Sequence, residues 1–210
     1  MSAIIGKKIG MSCLFSELGD SIPVTIIEAG PCYVTDIRTE DKNGYKAIQL
    51  GFGPVKEKKL TKPQLGQFKK HSIEPLRHLK EFRTFETSSE LSVGQEIKAD
   101  IFAEGDIVKV TGISKGKGFQ GVIKRHHFQG AQQTHGQKSM LRAPGSIGQS
   151  ATPSRVLKGV KMPGRTGNKT VSMKNLEIVK VDADKNILMI KGAVPGAKNG
   201  IVYIAKRVVK

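Results

Sequence analysis

Residues 107–176 contain no aspartate and no glutamate. The same 70 residues carry 13 Lys and Arg, three His and 11 Gly, and so supply +13 of the chain's formal net charge of +17. Folded surfaces ordinarily interleave both signs, because like charges repel one another. A long segment that excludes acids is suited to a negative field, and the most abundant such field in a cell is a nucleic-acid backbone. The same absence removes any carboxylate that could serve there as a general base or a metal ligand.

Other scarcities narrow the class further. There is no Trp, and aromatics make up only 5% of the 210 residues. The two cysteines, Cys13 and Cys32, have no metal-binding spacing and are too few for a disulfide scaffold, so a reducing cytosol is the expected compartment. No window approaches the ~20 apolar residues of a membrane span, and residues 1–8 hold no apolar stretch of signal-peptide length. A basic chain can also bind anionic lipid, but that usually takes an amphipathic helix, which a Gly-rich basic segment forms poorly. The apolar content of 38% supports a modest core in one large domain or two small ones.

The periodicity outside the basic segment is that of strands. Residues 21–29 are β-branched and apolar, with Ile22, Val24, Ile26 and Ile27, and Gly30-Pro31 ends the run. Residues 33–39 and the alternating 46–52 are further strands, and Asn43-Gly44 between them is a hairpin dipeptide. Thr61-Lys62-Pro63-Gln64 opens a short helix to about Lys70: Thr61 caps, Pro63 tolerates the first turn and Gln64 completes a capping box. Residues 82–86 read as strand or loop. Residues 107–111 form a strand after the turn Glu104-Gly105-Asp106, and strands return at 176–181, 187–191 and 201–205. The expected architecture is mainly β. An antiparallel barrel-like body spans 1–125 and 161–210, with a small α+β accessory lobe at about 53–98 and a long irregular basic extension at 126–160.

In that extension the only large apolar residues are Phe128, Met140, Leu141, Ile147, Val156, Leu157 and Val160, and they follow neither period 2 nor period 3.6. Such a stretch buries too little surface to offset the entropy of ordering it alone. Loops this long inside a compact domain are usually functional or disordered. Out and back, 35 residues reach at most about 55 Å at about 3.3 Å per residue. That is roughly three times the radius of gyration of about 17 Å expected for a globule of this length.

The chemistry of the basic segment is that of an RNA ligand. It opens with Gly112-Ile113-Ser114-Lys115-Gly116-Lys117-Gly118-Phe119-Gln120-Gly121, where glycines let backbone amides approach an anion and two lysines sit between them. The P-loop pattern is absent. Gly116, Gly118 and Gly121 match the spacing of a dinucleotide fingerprint, but no helix-forming run follows. Lys124-Arg125-His126-His127 is the densest basic cluster. With no Cys or carboxylate nearby, His126, His127 and His135 suit base stacking or phosphate contacts better than a metal. Residues 142–165 mix Arg and Lys with Gly, Ser, Thr, Gln and Pro. This is the mixture of a finger packed into folded RNA, with cations to phosphates, glycines at close backbone approaches and hydroxyls or amides to 2′-hydroxyls. The candidate RNA-contacting residues are Lys115, Lys117, Lys124, Arg125, His126, His127, His135, Lys138, Arg142, Ser146, Gln149, Arg155, Lys158, Lys161, Arg165 and Lys169. No catalytic constellation, cofactor motif or small-molecule site is evident.

These residues resemble the bacterial form of the large-subunit ribosomal protein three family along the whole chain. The resemblance is carried by Ile5-Gly6-Lys7-Lys8-Ile9-Gly10-Met11-Ser12, by Glu28-Ala29-Gly30-Pro31-Cys32, and by residues 112–121 quoted above. It continues through Arg142-Ala143-Pro144-Gly145-Ser146-Ile147-Gly148 with Thr152-Pro153-Ser154-Arg155-Val156, and Gly192-Ala193-Val194-Pro195-Gly196. It implies a translation-factor-like β-barrel with an accessory lobe and a long extension. It also implies binding to large-subunit ribosomal RNA near its 3′ end, a role early in subunit assembly, an extension tip near the peptidyl-transferase centre, and neighbouring ribosomal proteins packed on the β body. Some family members carry an N-methylated glutamine side-chain amide in this tract, and Gln149 stands at the matching place. Two other classes compete: an RNA-binding regulator that leaves the particle, and an RNA-modifying enzyme that clamps substrate with the basic loop. The enzyme would need a reactive group converging on a segment that holds no acid.

Overall fold

The computed structural model describes residues 2–83 and 91–206. In chain order its strands are β1 (Ala3–Phe15), β2 (Ser21–Ala29), β3 (Cys32–Arg38), β4 (Ala47–Pro54), β5 (Leu76–Phe82), β6 (Glu96–Ile97), β7 (Ile107–Ile113), β8 (Phe119–Gln120), β9 (Gly164–Arg165), β10 (Thr170–Asp182), β11 (Ile187–Lys191) and β12 (Ile201–Lys206). Three short helices join them: α1 (Glu40–Asn43), α2 (Lys62–Lys70) and α3 (Val122–His126). The chain divides into two compact units, one of 1–114 with 170–210, the other Lys115–Lys169.

The larger unit is built on a closed barrel of order β1–β12–β7–β10–β11–β2, with β2 returning to β1 and every pairing antiparallel. Closure leaves no sheet edge along the paired segments. Alternate residues turn inward, and Ile4, Ile27, Val108, Val110, Ile178, Leu188, Ile190, Val202 and Ile204 are completely buried. Side chains of this size fill a barrel interior of few strands. Thr25 is buried among them, and its hydroxyl donates to the Gly192 carbonyl at 2.7 Å, so the polar atom is satisfied. Bulges at Lys8/Gly10, Met173/Leu176 and Ile178/Lys180 interrupt the ladders and supply local bends.

A second sheet of order β5–β4–β3–β6 shares the same hydrophobic cluster through Cys32, Val34, Leu50, Phe52 and Ile97. The Phe82 and Tyr203 rings meet edge to face at 6.4 Å, and Lys80 lies 5.4 Å from the Tyr203 ring centre. Burial pushes the Cys32 thiol up to about 12, and its Sγ donates to the Ile5 carbonyl at 3.3 Å, so this cysteine acts as an inert core residue. The sheet takes in β3 and β4 as well as strands from the 53–98 stretch. Its helix α2 starts where the capping signal placed it. The Gln64 side chain accepts from the Thr61 backbone N–H at 3.1 Å, and Phe68 is buried.

Local differences from the sequence reading have physical causes. Asn43-Gly44 does not make a two-residue turn. The β3–β4 connection runs from residue 39 to 46, too long for one, and coils into α1 with Glu40 and Asp41 at its N-terminus and Gly44 closing it at φ 75°. Strand β10 begins at Thr170, six residues before the periodicity returns, because 170–175 are exposed on both faces and are held by pairing with β7. Of the stretch 82–86, Phe82 ends β5, while residues 84–90 lie outside the described residues.

Two outcomes are expected. Ile204→Ala empties a fully buried barrel position and should cost about 2–5 kcal/mol in chemical denaturation. The second concerns Asp106, which accepts from Lys206 at 2.7 Å and from the Ala103 N–H at 3.0 Å. Burial works to raise its pKa, but the Lys206 and Ala103 hydrogen bonds and the Lys206 charge outweigh that and hold it below the usual carboxylate value. Its contribution is therefore complete above the unfolded-state value of about 3.9 and fades as the pH falls through the lower folded value. Asp106→Asn should lose about 1 kcal/mol at pH 7, since Lys206 is partly exposed. That deficit against the wild type should shrink in urea titrations as the pH falls through the lowered folded-state value of Asp106.

Candidate nucleic-acid interface

The unit Lys115–Lys169 holds 11 Lys and Arg and no acid, so none of its cations has an anionic partner within the unit. Ion pairs such as Arg38–Glu81 at 3.0 Å and Lys206–Asp106 at 2.7 Å lie in the larger unit, where both signs are present. The chain leaves the barrel after β7 and re-enters it at β10. These strands are ladder partners, with Ile113 opposite Thr170, so the whole segment hangs between two adjacent, paired strand ends.

The base of this unit is a small ordered frame. Strands β8 and β9 pair Phe119 with Arg165 and Gln120 with Gly164, and the Lys117 and Thr166 amides donate to the Thr166 and Gly118 carbonyls, each at 2.9 Å. Helix α3 follows at once, buries Val122, and ends on His127 in the left-handed region at φ 61°. Arg125 on this helix donates through Nη1 to the Met162 carbonyl at 2.7 Å, and His126 Nε2 lies 3.1 Å from the same oxygen. A carbonyl only accepts, so His126 carries its proton on Nε2 here. Two glycines let chain segments cross. A Cβ on Gly167, at φ 75°, would strike the Lys115 carbonyl, and one on Gly130, at φ 80°, the Leu141 carbonyl.

Between 127 and 163 there is neither helix nor strand. Within 128–161 the backbone bonds to itself only from Ala131 to Leu141 and from Ala143 to Met140, while Ser146 Oγ donates to the Gly148 carbonyl at 2.8 Å. An open groove of about 450 Å³ lies here, lined by residues that include His127, Phe128, Gln129, Met140 and Pro144. It combines an aromatic face, an imidazole and an amide, the groups that receive an unstacked base.

Of the residues singled out from the sequence, Lys115, Lys117, Lys124, His127, His135, Lys138, Arg142, Ser146, Gln149, Arg155, Lys158, Lys161, Arg165 and Lys169 are exposed. Arg125 and His126 are half-buried and already engaged with Met162, so they brace the frame. The sequence reading passed over the exposed apolar residues of the same unit. Phe119 is 75% exposed, Met140 62% and Leu157 53%. The signal was present in Gly118-Phe119-Gln120-Gly121, where an aromatic stands between glycines with Lys117 and Gly121, not large apolar residues, at the two positions that would share a strand face with it. An aromatic ring exposed among cations, as Phe119 is, offers a face on which a base can stack. Among the described residues no group of three His, Cys, Asp or Glu converges as a metal set, and no helix is long and apolar enough to cross a membrane.

Residues 80–186 match the family model described as Ribosomal protein L3. The large ribosomal subunit protein uL3 of Chloroherpeton thalassium is 53% identical over 97% of this chain and 98% of its own. The uL3 protein of Brachyspira hyodysenteriae is 53% identical over 100% of this chain and 96% of its own, and that of Herpetosiphon aurantiacus 49% over 98% and 96%. With half of its length matched by the family model and nearly all of it by these relatives, the chain belongs to the ribosomal protein L3 family.

Proposed function

We propose that this chain is a structural constituent of the large ribosomal subunit, and that the unit 115–169 is its main hold on ribosomal RNA. The observation that carries the reading is the exposure of nearly all the basic side chains of a unit that contains no acid. Exposed cations that meet phosphates displace the counterions condensed on the nucleic acid, and that release drives association. The 127–163 path, without regular structure, gains its order from the RNA it threads. In this reading Lys115, Lys117, Lys124, Lys138, Arg142, Arg155, Lys158, Lys161, Arg165 and Lys169 meet phosphates. His127 and His135 stack on bases or bond phosphates, and Ser146 and Gln149 reach 2′-hydroxyls or base edges. Arg125 and His126 hold the frame and present their remaining donors.

In this reading the chain binds near the 3′ end of the large-subunit RNA, early in assembly, with the 126–160 tip directed toward the peptidyl-transferase centre. The β body packs against neighbouring ribosomal proteins, and the complex works in the cytoplasm. The role is architectural, with no catalytic step or cofactor. Gln149, exposed directly after the Ser146–Gly148 turn, is accessible to side-chain N-methylation.

Sedimentation of a tagged chain through a sucrose gradient tests the reading. Stoichiometric presence in the large-subunit peak, kept at raised salt, is the expected result. A free or salt-stripped pool would instead support an RNA-binding regulator. At the level of single residues, Arg142→Ala and Arg155→Ala should each lower the salt slope of RNA binding by about 0.7–0.9 per phosphate contact removed. An unchanged slope would remove that residue from the interface.

A further inference from the structure

The hairpin of β1 and β2 is the electrostatic opposite of the basic unit. From Ile9 to Ile37 there are 29 residues with Glu17, Asp20, Glu28 and Asp36 but no Lys, Arg or His, where the chain as a whole averages one Lys or Arg in six residues. Part of this hairpin also projects past the barrel ladders. Beyond Lys8, β1 pairs only with β2, and before Pro23, β2 pairs only with β1. The ribbon Cys13–Phe15 against Ser21–Pro23 therefore has two unpaired edges, and Met11 and Ser12 lead into it opposite Thr25 and Val24.

Its side chains are not those of a solvated ribbon. Met11, Cys13 and Phe15 alternate onto one face, and Pro23 stands opposite Cys13 on that same face. Met11 is 54% exposed, Phe15 77% and Leu18, in the turn, 92%. Glu17 and Asp20 flank Leu18 and are exposed. The first cation across the ladder, Lys191 opposite Val24, is engaged by Glu177 at 3.2 Å. A two-stranded ribbon of this length is marginal alone in water, and contiguous exposed apolar groups rimmed by charge mark an interaction surface.

We propose that the tip of the β1–β2 hairpin docks a neighbouring protein whose contact surface is an apolar patch rimmed by Lys and Arg. The inference rests on the ribosomal reading above. RNA is disfavoured as the occupant because Glu17 and Asp20 would face phosphates with no cation between them, and like charges across an interface are repelled. A basic protein satisfies both features at once. Its apolar patch covers Met11, Phe15 and Leu18, and its cations meet the acids at the rim.

The test places a photoreactive benzoylphenylalanine at Phe15, or separately at Leu18, in the full-length chain, and irradiates purified large subunits that contain it. The expected product is an adduct with one protein, mapped to a surface bearing Lys or Arg. Adducts with ribosomal RNA at both positions, with a protein surface lacking cations, or with nothing would overturn the proposal while leaving the chain in the particle. Glu17→Lys with Asp20→Lys, added to the labelled chain, should cut the adduct yield roughly tenfold with particle occupancy unchanged. An unchanged yield would overturn the charge argument. A labelled chain absent from the subunit would instead defeat the ribosomal reading, and this proposal with it.

Discussion

Eleven positive side chains in 55 residues repel one another, and nothing inside that unit opposes them. The rest of the structure is arranged around this constraint. A segment with such a charge cannot build its own core, and the unit buries fully only Val122 among its apolar residues. It is therefore bracketed by two strands that are already partners in a closed, well-packed barrel, and steadied at its base by a two-residue ladder, a short helix and the Met162 carbonyl. Stability resides in the larger unit, and the compensating charge has to come from outside.

The barrel meets this demand with ordinary means. Its β-branched interior is dry, its buried threonine is satisfied, and its one buried thiol is held protonated by its surroundings. The ion pairs Arg38–Glu81, Lys191–Glu177 and Lys206–Asp106 tie β strands or their flanking turns together in the larger unit, where acids and bases are both available. Acidic residues are thus confined to the larger unit.

The strands read at 21–29, 107–111, 187–191 and 201–205 were legible, to within two residues of their observed ends, because half-buried strands alternate and end at Gly, Pro or Asn. The helix at 62–70 was legible because capping is local chemistry. Strand β10 before Leu176 was not, since Val171 and Met173 alternate over only two positions, stay exposed and are held by pairing with β7. Residues 126–160 were legible as an irregular segment, but the α3 frame was not, because Arg125 and His126 are held by a carbonyl 36 and 37 residues away. Charge exclusion is a property of composition and needs no structure to be seen. The division of cations into exposed ones and bracing ones depends on tertiary contacts.

The central claim is that the basic unit acquires its order and its counter-charge from RNA. Amide hydrogen exchange across 115–169, compared between the free protein and the assembled large subunit, addresses it directly. With so few internal backbone hydrogen bonds between 128 and 161, exchange there should be fast in the free protein and strongly slowed in the particle, while barrel amides stay protected in both. Equal protection of 128–161 in the two states would mean an independently folded insertion and would contradict the account.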